Sequence, residues 1–392
     1  TSEMNSFRIL LVGDFSGVHS TLREALRKKN FDVTLISDGD SYKDLPSDIV
    51  FGKVTKNNDN RGFLKKICNY VLTLLGVNGI GVYIKNRYKI KQLSSFDVIQ
   101  LINPQPFQEI GWLINLYIIY KLNRKTKKMY LCALGEDYYW VKSCIKKRFK
   151  YSALDNVPGN KRKYRYSLKF LKLYYKVLND YCVAISEKII PGLVDYRIAY
   201  EHFDKCTDVI PLPINKNFVT TKSLSLKNDD KIVIFHGWQV GKELKKGNYI
   251  FDRAIKKLQE KYNEQIEYVI VKNVPYDEYV KSFSRAHLFI DQCYSYDKGV
   301  NALLGMAAGK VVFSGFEPEA KRYYEFFDDK YTPLINAVPD EDTIFLQIED
   351  LLLNKQKINN ISAAAREFIL RYHLSEDVAD NFLNVWGYDI HD

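Results

Sequence analysis

Short apolar runs alternate along this chain with longer stretches whose apolar residues recur at helical spacing, which predicts strand and helix in turn. The first strand is predicted over 7–12, a glycine loop over 13–17, and a helix over 18–29 with Leu22, Ala25 and Leu26 on one face. A second strand follows over 33–36, and others over 96–102, 129–134, 181–185 and 208–210, with a helix over 188–202. Pro211-Leu212-Pro213 and the polar stretch 220–230 interrupt the rhythm, and a strand over 231–235 restarts it. Strands over 266–271, 288–290 and 311–313 then alternate with helices that open at Tyr276 and span 301–308. Helices over 341–353, 358–371 and 375–386 close the chain. Two α/β runs of this kind predict two doubly wound halves, with ligands at the carboxyl ends of the strands.

With 392 residues the chain can bury roughly three quarters of its unfolded surface, so no disulfide framework is required. Cys68, Cys132, Cys144, Cys182, Cys206 and Cys293 are scattered without C-x-x-C spacing, which suits reduced thiols and a cytoplasmic setting. The histidines form no H-x-x-x-H pair, so no metal site is expected. No basic stretch followed by an apolar run opens the chain, and no apolar run approaches a membrane span. Charge is uneven: residues 1–220 hold 36 Lys and Arg against 20 Asp and Glu, whereas 221–392 hold 22 against 27. The basic half should meet phospholipid head groups, a diphosphate-linked acceptor or nucleic acid, and the last is not expected because no recognition motif accompanies the charge.

Chemistry concentrates at the strand ends. The unit over 286–319 reads strand, polar aromatic loop, helix and strand. Asn301 is the expected N-cap, and the amides of Ala302, Leu303 and Leu304 behind it would favour an anion such as a diphosphate. A helix buried against a sheet for packing alone would look similar. The 13–17 loop lacks the third glycine of a dinucleotide fingerprint, so a nicotinamide enzyme is not expected. Residues 61–75 predict a basic amphipathic helix, fitted either to the core or to an anionic membrane. Cations and tyrosines crowd 142–176, suiting an acceptor or membrane patch, or a solvated face.

Met306-Ala307-Ala308-Gly309-Lys310-Val311-Val312, preceded by Gly299, resembles the donor motif of the GT-B glycosyltransferases, especially the retaining family 4. The positions of that motif's two glutamates hold Tyr296 and Leu304. Gly237 and Lys246-Gly247 resemble the family's phosphate loop, with Lys242 or Lys245 standing where an arginine is usual. The loop 272–275 resembles its base-binding loop, and 314–319 its glycine-rich turn carrying a glutamate. The resemblance implies two Rossmann-like domains facing a cleft, over 5–212 and 213–374, with 375–392 crossing back to the first domain. It implies a nucleoside-diphosphate-sugar donor, a glycan or lipid-linked acceptor, retention at the anomeric carbon, and neither metal nor cofactor. Surface polysaccharide or glycoconjugate synthesis is the implied setting, with the protein cytoplasmic or peripheral on the inner membrane face.

For the site, the resemblance implies that Lys246, Lys242 and the amides of Asn301, Ala302 and Leu303 stabilise the leaving diphosphate. Asn103 and Asp137, with Glu136 as substitute, are implied at first-domain strand ends, although either acid could instead cap the next helix. Gly13, Gly17, Gly237, Asn273, Val274, Tyr296 and Gly299 are implied around the donor. With both glutamates replaced, Asp297, Glu317 or Glu319 is expected to take over a ribose or sugar contact, Glu319 foremost. The alternative is a non-catalytic protein of the same fold that binds a nucleotide or glycan.

Overall fold

The computed structural model describes residues 3–39, 45–54, 62–324 and 332–389. Strands β1 (Asn5–Val12), β2 (Phe31–Ser37), β3 (Ile49–Val50), β4 (Phe96–Leu101), β5 (Thr126–Ala133) and β6 (Ser186–Pro191) form one sheet. Its order is β3-β2-β1-β4-β5-β6, with every neighbouring pair parallel. Strands β7 (Ile232–Gly237), β8 (Ile266–Val271), β9 (Leu288–Ile290), β10 (Val311–Ser314) and β11 (Ile335–Asn336) form a second parallel sheet, ordered β11-β10-β9-β7-β8. Each order reverses beside its first strand, which opens a crevice at the carboxyl ends. The central strands are apolar on both faces, as Ile9, Leu10, Leu11 and Val12 show by being wholly buried.

Three predicted elements are corrected near the end of the first half. Residues 181–185 belong to the helix Leu173–Ile185, the strand is β6, and the next helix is only Val194–Tyr200. Residues 208–210 belong to no strand, although Ile210 N donates to the Pro191 carbonyl at 3.1 Å. The core-facing alternative for 61–75 also fails: the helix spans Phe63–Leu74 and buries no residue, while Arg61 lies outside the described residues.

The helix Ser375–Val385 packs on the helix Val18–Lys28 of the first domain. Lys29 pairs with Asp380 at 3.1 Å, and Trp386 Nε1 donates to Gln100 Oε1 at 3.0 Å. Gln100 in turn donates to His19 Nε2, whose Nδ1–H reaches the Gly13 carbonyl at 2.7 Å. Burial holds His19 neutral, its pKa lowered to about 4. The chain's end is thereby tied to the loop after β1.

Candidate functional site

The carboxyl ends of the two sheets meet through the loops that follow β5, β6, β7, β9 and β10. Lys245 Nζ lies 3.2 Å from Glu136 Oε2, and Glu136 also accepts from Ser167 Oγ at 2.5 Å. Asn156 donates to the Leu244 carbonyl at 3.1 Å and to Tyr294 Oη at 3.3 Å. The Lys150 amide donates to Tyr296 Oη at 2.6 Å, and Phe149 and Tyr151 set their rings edge-on to Tyr296. The run 142–176 therefore supplies a strap against the second domain's loop after β9, a partnership invisible in its local pattern.

After β7 the short helix Glu243–Lys246 ends at Gly247, whose φ is +77°. A Cβ there would fall 2.2 Å from Cys293 Sγ, so glycine is required both by conformation and by the approach of the β9 loop. This turn gathers three lysines. Lys245 is spent on Glu136, whereas Lys246 Nζ has no hydrogen bond or ion pair among the described residues. Loss of hydration and the neighbouring ammonium groups of Lys246 and Lys245 draw the pKa of Lys242 down. An anion settling between Lys242 and Lys246 would relieve that repulsion.

The helix after β9 spans Val300–Ala307 and is capped by Gly299 in extended conformation, so Asn301 is not the N-cap. Asn301 instead donates to Asp291 Oδ1 at 3.1 Å. The Leu303 amide is spent on the Gly299 carbonyl at 3.0 Å, and Leu304 lies a residue deeper. The amides that a helix of this span leaves without intrahelical partners are those of Val300, Asn301 and Ala302.

Asn103 and Asp137 are both occupied by partners within the first domain. Asn103 is wholly buried, donating to the carbonyls of Leu134 and Glu136 and accepting from Gln105. Asp137 caps the helix Tyr138–Ile145 through Trp140 N at 2.8 Å and accepts from Tyr200 Oη at 2.5 Å. Burial pushes its pKa up to about 6. The first-domain glycine loop is likewise occupied from within. Asp14, between Gly13 and Gly17, is buried and accepts from His19 N at 2.9 Å, at the start of the helix Val18–Lys28. A diphosphate at that helix end would meet a carboxylate, so the geometry favours the second domain's loops for phosphate.

The carboxylates expected to replace the missing glutamates separate clearly. Asp297 is buried, accepting from Val194 N at 2.9 Å and pairing with Lys298 at 3.2 Å. Lys298 is itself buried beneath Tyr324, 4.1 Å from the ring centroid. Glu317 accepts from Tyr151 Oη and lies 3.7 Å from Lys150 Nζ. Both are tied to the first domain, and Tyr296 is held by the strap. Glu319 differs: it is half-buried, and its Oε2 is shielded from water without a hydrogen-bond partner among the described residues. Gly237 ends β7, while Asn273 and Val274 lie in the loop after β8, Asn273 exposed at φ 47° and Val274 packed on the core.

Sequence reasoning missed Asp195. It is buried on the helix Val194–Tyr200 and accepts from Tyr296 N at 3.0 Å. Burial pushes its pKa up to about 7, the adjacent Asp297 adding to the shift.

No protein-family model matches the chain, nor does any curated protein sequence. Among solved structures it is similar to sucrose-phosphate synthase from Thermosynechococcus elongatus, with a TM-score of 0.59 and 11% identity over 97% of this chain and 98% of that one. It is also similar to HepE from Anabaena in complex with UDP and glucose, with a TM-score of 0.55 and 11% identity over 97% and 99% of the two chains. A glycosyltransferase from Rickettsia africae gives 0.52 and 14% over 97% and 98%. At these identities the likeness establishes the fold: an α/β chain of two Rossmann-like domains in the GT-B arrangement.

Proposed function

We propose that this protein transfers a sugar from a nucleoside-diphosphate sugar to a glycan or lipid-linked acceptor, with retention at the anomeric carbon. The observation that carries the proposal is the Lys246 ammonium, without a partner among the described residues and one turn from Lys242, on the loop where the second sheet meets the first domain. In this reading the two lysines and the amides of Val300–Ala302 hold the diphosphate, whose charge grows as the glycosidic bond breaks. The positive charge then comes from the chain itself, with no metal called for. Glu319 supplies the acceptor for a ribose or sugar hydroxyl that Tyr296 and Leu304 cannot provide. The basic first domain receives the acceptor, in surface-glycan or glycoconjugate synthesis.

Because HepE is described in complex with UDP and glucose, uridine diphosphate sugars come first in the test. The experiment is to incubate the protein with a panel of nucleotide sugars and to follow diphosphate release, with and without lipid-linked or free glycan acceptors. Release from at least one donor, and the α or β configuration of the product matching that of the donor, is the expected result.

A second reading is favoured by Tyr296, Asp297 and Glu317 being tied into the domain contact: a non-catalytic protein of this fold that binds a nucleotide or glycan. Nucleotide binding with no release from any donor would select it.

A further inference from the structure

We propose that the outer helical face of the first domain docks on a bilayer carrying anionic lipid. The face begins with the helix Phe63–Leu74, which buries none of its residues. Phe63 and Leu64 are 79% and 77% exposed, and Ile67, Val71 and Leu74 continue their stripe at helical spacing. A solvated helix ordinarily turns such a stripe inward, yet among the described residues this one stays exposed. The stripe continues on two neighbours. Ile80, Ile84 and Tyr88 are exposed along the helix Ile80–Lys91, and Leu113, Tyr117 and Tyr120 along the helix Trp112–Asn123. Leu113 N donates to the Gly76 carbonyl at 3.0 Å, and the Tyr83 and Tyr117 rings meet edge-on at 6.0 Å, so the three helices form one surface. Contiguous apolar surface of this kind marks an interaction site.

Charge selects the occupant. Residues 60–96 contain seven Lys and Arg and no Asp or Glu, and residues 110–135 contain five and none. Between the second and third helices a cavity of about 520 Å³ is lined by Arg87, Lys91, Lys121 and Arg124, with Tyr83 and Tyr117, and by no carboxylate. Apolar side chains beside a cavity lined by cations and by no carboxylate match acyl chains beside phosphate head groups. A second copy packed symmetrically on this face would set the same cations against each other. No helix among the described residues is long and apolar enough to cross a membrane, so the contact is one of lying on the surface.

The face also leads to the cleft. Trp112 stacks on Tyr174 with centroids 5.0 Å apart, at the start of the helix Leu173–Ile185. Lys169 then lies over Tyr166 at 4.2 Å, and Lys245 of the second domain over the same ring at 5.7 Å. A lipid-linked acceptor held at the bilayer would present its head group toward Lys245 and Lys246. That extension rests on the transferase reading; the docking itself does not.

The test is flotation with vesicles of phosphatidylcholine alone or mixed with phosphatidylglycerol, at low and physiological salt. It compares the parent with Phe63→Ser/Leu64→Ser/Ile67→Ser and with Arg87→Glu/Arg124→Glu, all exposed positions whose replacement is expected to leave the melting temperature unchanged. The parent is expected to float with phosphatidylglycerol vesicles only and less so at higher salt. Each charge reversal should weaken binding by roughly fivefold or more, and the serine variant by about tenfold or more. Absence of flotation at low salt, equal binding to phosphatidylcholine, or unchanged binding by both variants overturns the proposal. So does a lipid-free dimer that the serine variant dissociates, since a second copy would then cover the face. Nucleotide-induced melting shifts measured on the same samples keep the two readings apart: they should be equal in all three proteins, and their absence from the parent would bear on transfer alone.

Discussion

A charged side chain with no partner in its own fold is available to a ligand, and adjacent lysines of one short helix differ in this respect. Lys245 is held by Glu136, whereas Lys246 has no partner among the described residues. Lys246→Ala is therefore expected to weaken nucleotide-sugar affinity by about tenfold to a hundredfold with an unchanged melting temperature, as titration calorimetry and thermal melting would show. The carboxylates divide in the same way. Glu319→Gln should lower donor affinity and leave the fold intact, because its shielded oxygen has no partner to lose among the described residues. Asp297→Asn should instead cost about 3 kcal/mol in urea unfolding, since it strands the buried Lys298 ammonium. The sequence placed Asp297, Glu317 and Glu319 on one rim of the sheet. What separates them is Val194 and Tyr151, contributed by the other domain, and no local pattern carries that information.

Glycine turns and strands were legible where local chemistry decides them. Residues 266–271 and 288–290 are strands with the predicted ends, because β-branched and aromatic runs there are bounded by turn residues. The run 181–185 was misread because five apolar residues fit a strand as well as the end of a buried helix. The true strand, Ser186–Pro191, begins with exposed Glu187 and Lys188 at the edge of its sheet, and Ser-Glu-Lys resembles a helix start. The exposed helix Phe63–Leu74 shows the converse, since periodicity reveals an apolar side but not what covers it. At the turn after the helix Glu243–Lys246, Gly247→Ala is expected to lower melting temperature and, on the transferase reading, donor affinity, because the new Cβ meets Cys293 Sγ. Gly159 shares its positive φ, at +78°, with no atom near its missing Cβ. Gly159→Ala should cost only the backbone strain, about 1–2 kcal/mol, with donor affinity unchanged.

Across the molecule, the two domains are joined at the cleft by groups that titrate. Asp195 is buried beneath the loop carrying Tyr296, with its pKa raised to about 7. The folded state thus retains a proton that the unfolded chain releases near pH 4, so this residue's contribution to stability is full below that pH and is lost as pH rises toward 7. Urea midpoints of the parent and Asp195→Asn, compared at each pH, should diverge over that interval in favour of the variant. Equal midpoints throughout would remove Asp195 from the pH response. The fold around this contact was legible in two α/β rhythms, whereas the closure of one domain on the other depends on the strap over 147–151, whose partners lie in the second half. The central claim, that the closed cleft receives a nucleoside diphosphate on Lys246, is tested most directly by thermal melting of the parent and Lys246→Ala with a panel of nucleoside diphosphates and their sugars. At least one nucleotide should raise the parent's melting temperature and raise that of Lys246→Ala distinctly less. A parent unmoved by every nucleotide, or a variant moved as far as the parent, would contradict the account.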